Sequence, residues 1–204
     1  MSIKLVIFDL DGVLVDACEW HRVSLNEALK EICNYEISLQ DHYREYNGIP
    51  TKVKLKKLAD KNIISSNLFK KIEYLKQEKT IEIINTQAYK REEKIKMMQF
   101  LKNRNIKIAC YTNSIRMTAE LMLRKTGIIE YFDMVITNQD VAIPKPSSEG
   151  YIKCMNNFNL TTDQCLIVED SPNGLEAARG SGAMVIKVKN PSEVNEDLFK
   201  EYII

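Results

Sequence analysis

Glycine is scarce in this chain and unevenly placed: there are seven in 204 residues, and none falls between Gly48 and Gly127. A stretch that long without glycine reads as helices joined by short turns. Cysteine occurs five times, at 18, 33, 110, 154 and 165, an odd number with no CxxC pair. That argues against a disulfide-stapled scaffold and against a zinc site. No apolar run approaches the roughly 18 residues that a membrane-spanning helix needs. Neither sign of charge is in excess, with 29 basic and 28 acidic residues and a net charge of +1. Only 7 of the basic residues are arginine, the side chain that reads phosphates and bases bidentately, so a nucleic-acid partner is not expected. The start, Met1-Ser2-Ile3-Lys4, lacks the basic, apolar and small-residue pattern of a secretory signal. The expected setting is the cytoplasm, with no membrane partner.

What is present is ordinary for a globular protein: 45% apolar and 28% charged residues. Short apolar runs rich in branched residues recur at 3–8, 106–111, 134–136, 165–168 and 184–188 and read as buried parallel strands. Helical spacings lie between them: Ile95, Met98 and Leu101; Met117, Leu121 and Leu123; Tyr151, Ile152, Met155 and Phe158; Leu175, Ala177 and Ala178. Strand alternating with helix predicts an α/β fold with a doubly wound parallel sheet. Residues 17–91 break the alternation with helical patterns alone, as an inserted domain would. They hold 14 basic and 10 acidic residues, net +4, against −3 for the remainder.

The chemistry concentrates at the ends of the predicted strands, where doubly wound sheets bind ligands. Asp9-Leu10-Asp11-Gly12 follows the first strand. One carboxylate of such a pair can stay ionised, bind a metal and attack, while the other holds and releases a proton. Glu169-Asp170 follows a later strand in the same relation. If the two strands are neighbours, four acidic groups converge on one crevice and call for a hard cation. An oxygen-only ligand set without a histidine or cysteine cluster points to Mg²⁺. Thr112-Asn113-Ser114 ends another strand before a helix, where a hydroxyl and free backbone N–H groups can hold a phosphate, or where Ser114 can simply cap the helix. Lys145 stands between Pro144 and Pro146, which fix its direction. Glu169-Asp170-Ser171-Pro172 is also a good helix start.

Together, Asp9-x-Asp11-Gly-x-x-x-Asp16, Thr112-Asn113-Ser114, Lys145-Pro146 and Glu169-Asp170-Ser171 resemble the motifs of the haloacid dehalogenase superfamily over essentially the full length. The similarity is to its β-phosphoglucomutase-like phosphatases, which carry a helical cap after the first motif. The resemblance implies a Rossmann-like sheet of order 3-2-1-4-5, a core at residues 1–16 and 92–204, and a cap at 17–91. It implies a nucleophile at Asp9, a general acid–base at Asp11, and phosphate contacts from Thr112, Asn113 and Lys145. Mg²⁺ would be held by Asp9, Asp11 and Asp170, with Glu169 assisting. The implied activity is Mg²⁺-dependent hydrolysis of a small phosphorylated metabolite, through an aspartyl-phosphate, by a monomer. A phosphomutase, a non-catalytic binding module and a phosphonate-cleaving enzyme are the alternatives on the same fold.

The inserted segment is harder to read. Asp16-Ala17-Cys18-Glu19 has the spacing of a capping box. The resemblance places His21 toward the active site and makes the turn around Gly48 a specificity loop, with Thr51 and Lys52 as further candidates. His42 has no motif around it and is expected at the surface. β-Phosphoglucomutases carry a lysine just before the cap-loop glycine and an arginine three residues after it. This chain offers Asn47 and Thr51 there, which favours hydrolysis over transfer back to the sugar, although Lys52 stands one residue further on.

Overall fold

The computed structural model describes residues 2–203. Five parallel strands, β1 (Leu5–Phe8), β2 (Lys107–Tyr111), β3 (Met134–Ile136), β4 (Cys165–Glu169) and β5 (Met184–Lys187), form one sheet of order β3-β2-β1-β4-β5. This is the doubly wound arrangement that the alternating pattern predicts. All four residues of β1 are buried, as expected of a strand covered on both faces. Leu5, Ile7, Ala109, Tyr111, Ile167, Tyr151 and Ala177 belong to one core cluster.

The chain divides into two compact units, Met1–Asp16 with Tyr89–Ile204, and Ala17–Ala88. The larger unit holds the sheet and the helices α5 (Glu92–Asn103), α6 (Arg116–Lys125), α7 (Glu149–Asn157) and α8 (Pro172–Gly180), numbered here in chain order after the four of the smaller unit. Helix α8 begins as its sequence predicts, with Pro172 in the first turn and the Ser171 hydroxyl accepting from the Gly174 N–H at 3.1 Å. On α6 the buried stripe is Thr118, Ala119, Met122 and Leu123, while Met117 is 55% exposed. A fully buried Lys94 on α5 donates to the carbonyls of Pro191 and Val194, which ties the C-terminal segment to that helix.

The smaller unit is helical: α1 (Cys18–Cys33), the single turn α2 (Leu39–Asp41) running into a wider turn at His42–Tyr46, α3 (Thr51–Asp60) and α4 (Phe69–Gln87). Its own core contains Leu25, Leu29, Ile37, Tyr46, Leu55, Leu58 and Ile72. The Asn26 side chain fixes the segment after α1 by donating to the Ile37 carbonyl at 2.9 Å and accepting its N–H at 3.0 Å. Two expectations need correction. The capping box at 16–19 does not form: Ala17 is the cap, without a side-chain bond, and Arg22 takes Glu19 in a two-oxygen pair at 3.0 and 2.8 Å. His42 is not at the surface but 2% exposed, because the turn carrying it packs inward.

Candidate active site

Sheet register brings the predicted residues of the larger unit together. Phe8 pairs with Val168 on one side and with Cys110 on the other. The residues that follow, Asp9, Glu169 and Tyr111, therefore stand beside one another at the C-terminal edge, with Thr112 one step beyond. The Asp9 N–H donates to the Val168 carbonyl at 3.0 Å, carrying the strand pairing into the site.

Beyond Asp9 the chain reverses at Gly12, whose φ of +90° is a left-handed conformation open to glycine. A Cβ there would also lie 2.2 Å from Asp170 Oδ2, so the glycine makes room for that carboxylate. The reversal sets Asp11 near the end of β2, where its Oδ2 accepts from Ser114 Oγ at 2.7 Å and from Thr112 Oγ1 at 3.3 Å. Ser114 thus spends its hydroxyl on Asp11; helix α6 takes Ile115 as its cap instead.

Lys145 is the centre of the charge arrangement. Its ammonium lies 2.5 Å from both Asp9 Oδ1 and Glu169 Oε1, and it is 4% exposed. Asn113 fixes the backbone of Lys145 from both sides, accepting its N–H at 3.1 Å and donating to its carbonyl at 3.2 Å. The rings of Tyr111 and Tyr151 stand edge to face at 4.9 Å, and the Lys145 ammonium is 4.8 and 5.1 Å from their centroids. The Tyr151 hydroxyl donates to Glu169 Oε1 at 2.7 Å. Glu169 Oε2 accepts from the N–H groups of Asp170 and Ser171 at 3.0 and 3.3 Å. Sequence reasoning read Tyr111 and Tyr151 as core residues and gave them no part in the site; only their polar tips could have hinted otherwise. Gly150 and Gly174 complete this layer, since a Cβ would come within 2.3 Å of the Tyr111 ring and 2.0 Å of the Glu169 carboxylate respectively.

One oxygen each from Asp9, Glu169 and Asp170 lie within 4.8 Å of one another, a set able to hold a metal ion. Burial, and then the charge of Glu169, pushes the Asp9 carboxyl well above the usual carboxylate range despite Lys145. The same two causes raise Asp170 to about 7. Asp170 Oδ1 is buried without a hydrogen-bond partner. A crowded carboxylate cluster with a spare buried oxygen is what a hard cation would satisfy. Lys145 shifts upward: burial opposes its charge, but Asp9 and Glu169 outweigh it.

The remaining candidates lie in the helical unit. His21 Nδ1 is 3.2 Å from Lys76 Nζ. Gly48 turns the chain with a φ of +71°, Thr51 opens α3 after Pro50, and Lys52 is exposed.

Residues 6–188 match the haloacid dehalogenase-like hydrolase family, and the chain belongs to it. A phosphorylated carbohydrates phosphatase from Thermotoga maritima is 28% identical over 184 residues, 88% of this chain and 82% of that protein. A phosphoglycolate phosphatase from Nitrosospira multiformis is 28% identical over 208 residues, 98% of this chain and 89% of that protein. The crystal structure of β-phosphoglucomutase from Clostridium difficile shares the fold, with a TM-score of 0.83 at 19% identity over 98% of this chain and 96% of that one. The chain is thus a phosphatase-type hydrolase of this family.

Proposed function

We propose that this protein is a Mg²⁺-dependent phosphatase that hydrolyses a small phosphomonoester, a sugar phosphate or a related metabolite, through an aspartyl-phosphate on Asp9. The observation that supports this most is the buried Lys145 bridging Asp9 and Glu169 at the end of the central strand. A carboxylate held by one oxygen is oriented to attack with the other, and an ammonium beside it neutralises the incoming phosphoryl group.

In this reading an Asp9 oxygen forms a bond to phosphorus while the bond from phosphorus to the substrate oxygen breaks in line. Asp11 gives its proton to the departing oxygen. A water then attacks the aspartyl-phosphate, Asp11 takes back a proton, and Asp9 and free phosphate are regenerated. Thr112, the Asn113 backbone and Lys145 hold the phosphoryl oxygens. The spare oxygen of Asp170 and the raised Asp9 and Asp170 carboxyls fit Mg²⁺. It would be held by Asp9, the Asp11 carbonyl and Asp170, with Glu169 assisting; when bound, it supplies further charge neutralisation for the phosphoryl group. In the helical unit, His21, Gly48, Thr51 and Lys52 would serve substrate selection, as a cap at 17–91 implies.

The test is phosphate release from a panel of phosphomonoesters with Mg²⁺ and after chelation. Release that needs Mg²⁺ supports the reading; no release from any ester, or release untouched by exhaustive chelation, overturns it. Product analysis with β-glucose 1-phosphate and a trace of the 1,6-bisphosphate separates hydrolysis from transfer. Free phosphate is expected, because Asn47 and Thr51 bring no charge to grip a second phosphate. Efficient conversion to glucose 6-phosphate would replace the phosphatase with a mutase.

A further inference from the structure

The amino ends of the strands, at the opposite edge of the sheet from Asp9, hold a cavity of about 450 Å³. Register builds it: Leu5 pairs with Lys107 on one side and Cys165 on the other, so Lys4, Ile106 and the segment before β4 meet at that edge. Five residues of extended chain, roughly 16 Å, separate Lys4 from Asp9. Two helix ends supply much of the lining. Helix α5 gives way to β2 through a left-handed Asn105, and α7 turns toward β4 through a left-handed Asn159. The N–H groups of Ile106 and Leu160 take the carbonyls of Leu101 and Met155, at 3.1 Å each, so neither helix end leaves these acceptors open. The inner surface is apolar: Ile3 is buried, and Phe158 and Leu160 are partly buried against the main core. The rim is Lys4, Arg104 and Lys107, all exposed.

Among the described residues no carboxylate lines this cavity. Lys107 shares Asp133 with Lys102, at 3.2 and 2.6 Å, whereas Lys4 and Arg104 form no ion pair among the described residues. The Arg104 guanidinium lies 3.8 Å from the centre of the Phe100 ring. That stack uses the face of the guanidinium and leaves its N–H edge to donate. A metal cation would be repelled here. A bare inorganic anion would leave the apolar lining wet, and a neutral apolar molecule would leave the donors unused. A volume of this size suits a metabolite-sized ligand held by apolar walls and oriented by a few polar groups. We propose that the cavity is a binding site for a small amphipathic anion, an apolar body carrying one carboxylate or phosphate that Arg104 and Lys4 receive. None of its residues belongs to the candidate active site, so this site and the phosphatase reading stand or fall separately.

The probe is 8-anilinonaphthalene-1-sulfonate, an apolar ring body with one anionic group, titrated into the full-length protein under chelation. Without a cation, Asp9, Glu169 and Asp170 repel it from the carboxyl edge of the sheet. A saturable, single-site rise in fluorescence is expected, with backbone amide shifts centred on Ile3, Lys4, Lys107 and Leu160. Octanoate should displace the probe, and octanol, with the same apolar body and no charge, should need at least about ten times the concentration. Arg104→Glu should weaken probe binding about tenfold. Arg124→Glu, the same charge change on the exposed side of α6, should leave it unchanged. No saturable binding, amide shifts centred on Asp9 to Asp11, octanol displacing as well as octanoate, or Arg104→Glu binding as tightly as Arg124→Glu would each overturn the site. The wild-type shifts and the octanoate–octanol contrast decide the matter even if a variant fails to fold. Octyl phosphate then separates the two head groups: both orders of displacement support the site, a stronger octyl phosphate assigning it a phosphate and a stronger octanoate a carboxylate.

Discussion

The two units of this chain both bury charge, and they do it in different ways. In the larger unit, Asp9, Glu169 and Asp170 stand at the ends of adjacent strands around one lysine. Several of its members are held by further bonds: Asn113 clamps the Lys145 backbone, Tyr151 and two N–H groups hold Glu169, and Ser114 holds Asp11. In the helical unit, the buried basic side chains are His42 on the turn after α2, Lys54 on α3 and Lys76 on α4, and no strand relates them to one another. The difference teaches that a parallel sheet sets neighbours by register, whereas a helical unit sets them only through packing. The first kind of site is acid-rich and set by strand register. The second depends on how helices and a turn pack around a few basic groups.

The sharpest way to break the comparison is at Asp9. Asp9→Asn keeps the shape but removes the attacking charge, so turnover should fall at least ~10³-fold, about 4 kcal/mol in the barrier. Its melting temperature should hold or rise, because burial already disfavours the ionised form. Phosphate release and a thermal melt on the same preparation check both halves; full activity in Asp9→Asn would remove the nucleophile assignment.

Next in size is the lysine that holds the acids. Lys145→Met leaves Asp9 and Glu169 facing each other in the interior, which should cost about 3 kcal/mol of stability besides activity. The control is Lys61→Met in the helical unit, where losing an exposed pair with Glu45 at 2.5 Å should leave the unfolding midpoint nearly unchanged. Chemical denaturation of both variants gives the contrast. Equal losses would mean that burial is not what distinguishes the two pairs.

The metal sharpens the same point. A saturating cation at about 100 times its Kd adds about 2.7 kcal/mol of stability. Asp170 is raised to about 7 from an ordinary 3.8. With a folded-state value above the unfolded one, its contribution to the metal-free protein is present at low pH and lost as pH rises through about 7. Mg²⁺ needs the ionised carboxylate, so its gain in melting temperature should grow between pH 5 and 8. A gain that shrinks with rising pH would contradict the ligand set.

The smallest expected effect belongs to the helical unit. His42 is lowered to about 4 from 6.5. With the folded-state value below the unfolded one, its contribution is full above the ordinary value and is lost as pH falls through the window toward 4. His42→Gln lacks this titration. The stability difference between wild type and variant should therefore narrow by roughly 1–2 kcal/mol from pH 7 to pH 4. Parallel curves would place His42 in a less positive setting than its neighbours imply.

Much of this was legible in the residues alone. Apolar runs of four to six residues with acids just beyond them specified parallel strands, and strands alternating with helices specified a doubly wound sheet. Asp9, Asp11, Thr112, Asn113, Lys145, Glu169 and Asp170 were readable because each follows a strand or sits in a proline-bounded loop, where local sequence already dictates position. Tyr151 and Gly150 were not, because an aromatic and a glycine on an apolar helix face look like core until the Lys145 ammonium lies against the ring. His42 and Lys54 were not, because nothing within a few residues of either signals burial. By itself, then, the sequence determined what is local: strand, turn, helix and the acids at strand ends, all set by backbone preference and hydrophobic period. Tertiary structure alone decided which charges meet across helices and which side chains close around Lys145, because those contacts join residues far apart in the chain, and only the packed interior selects among them.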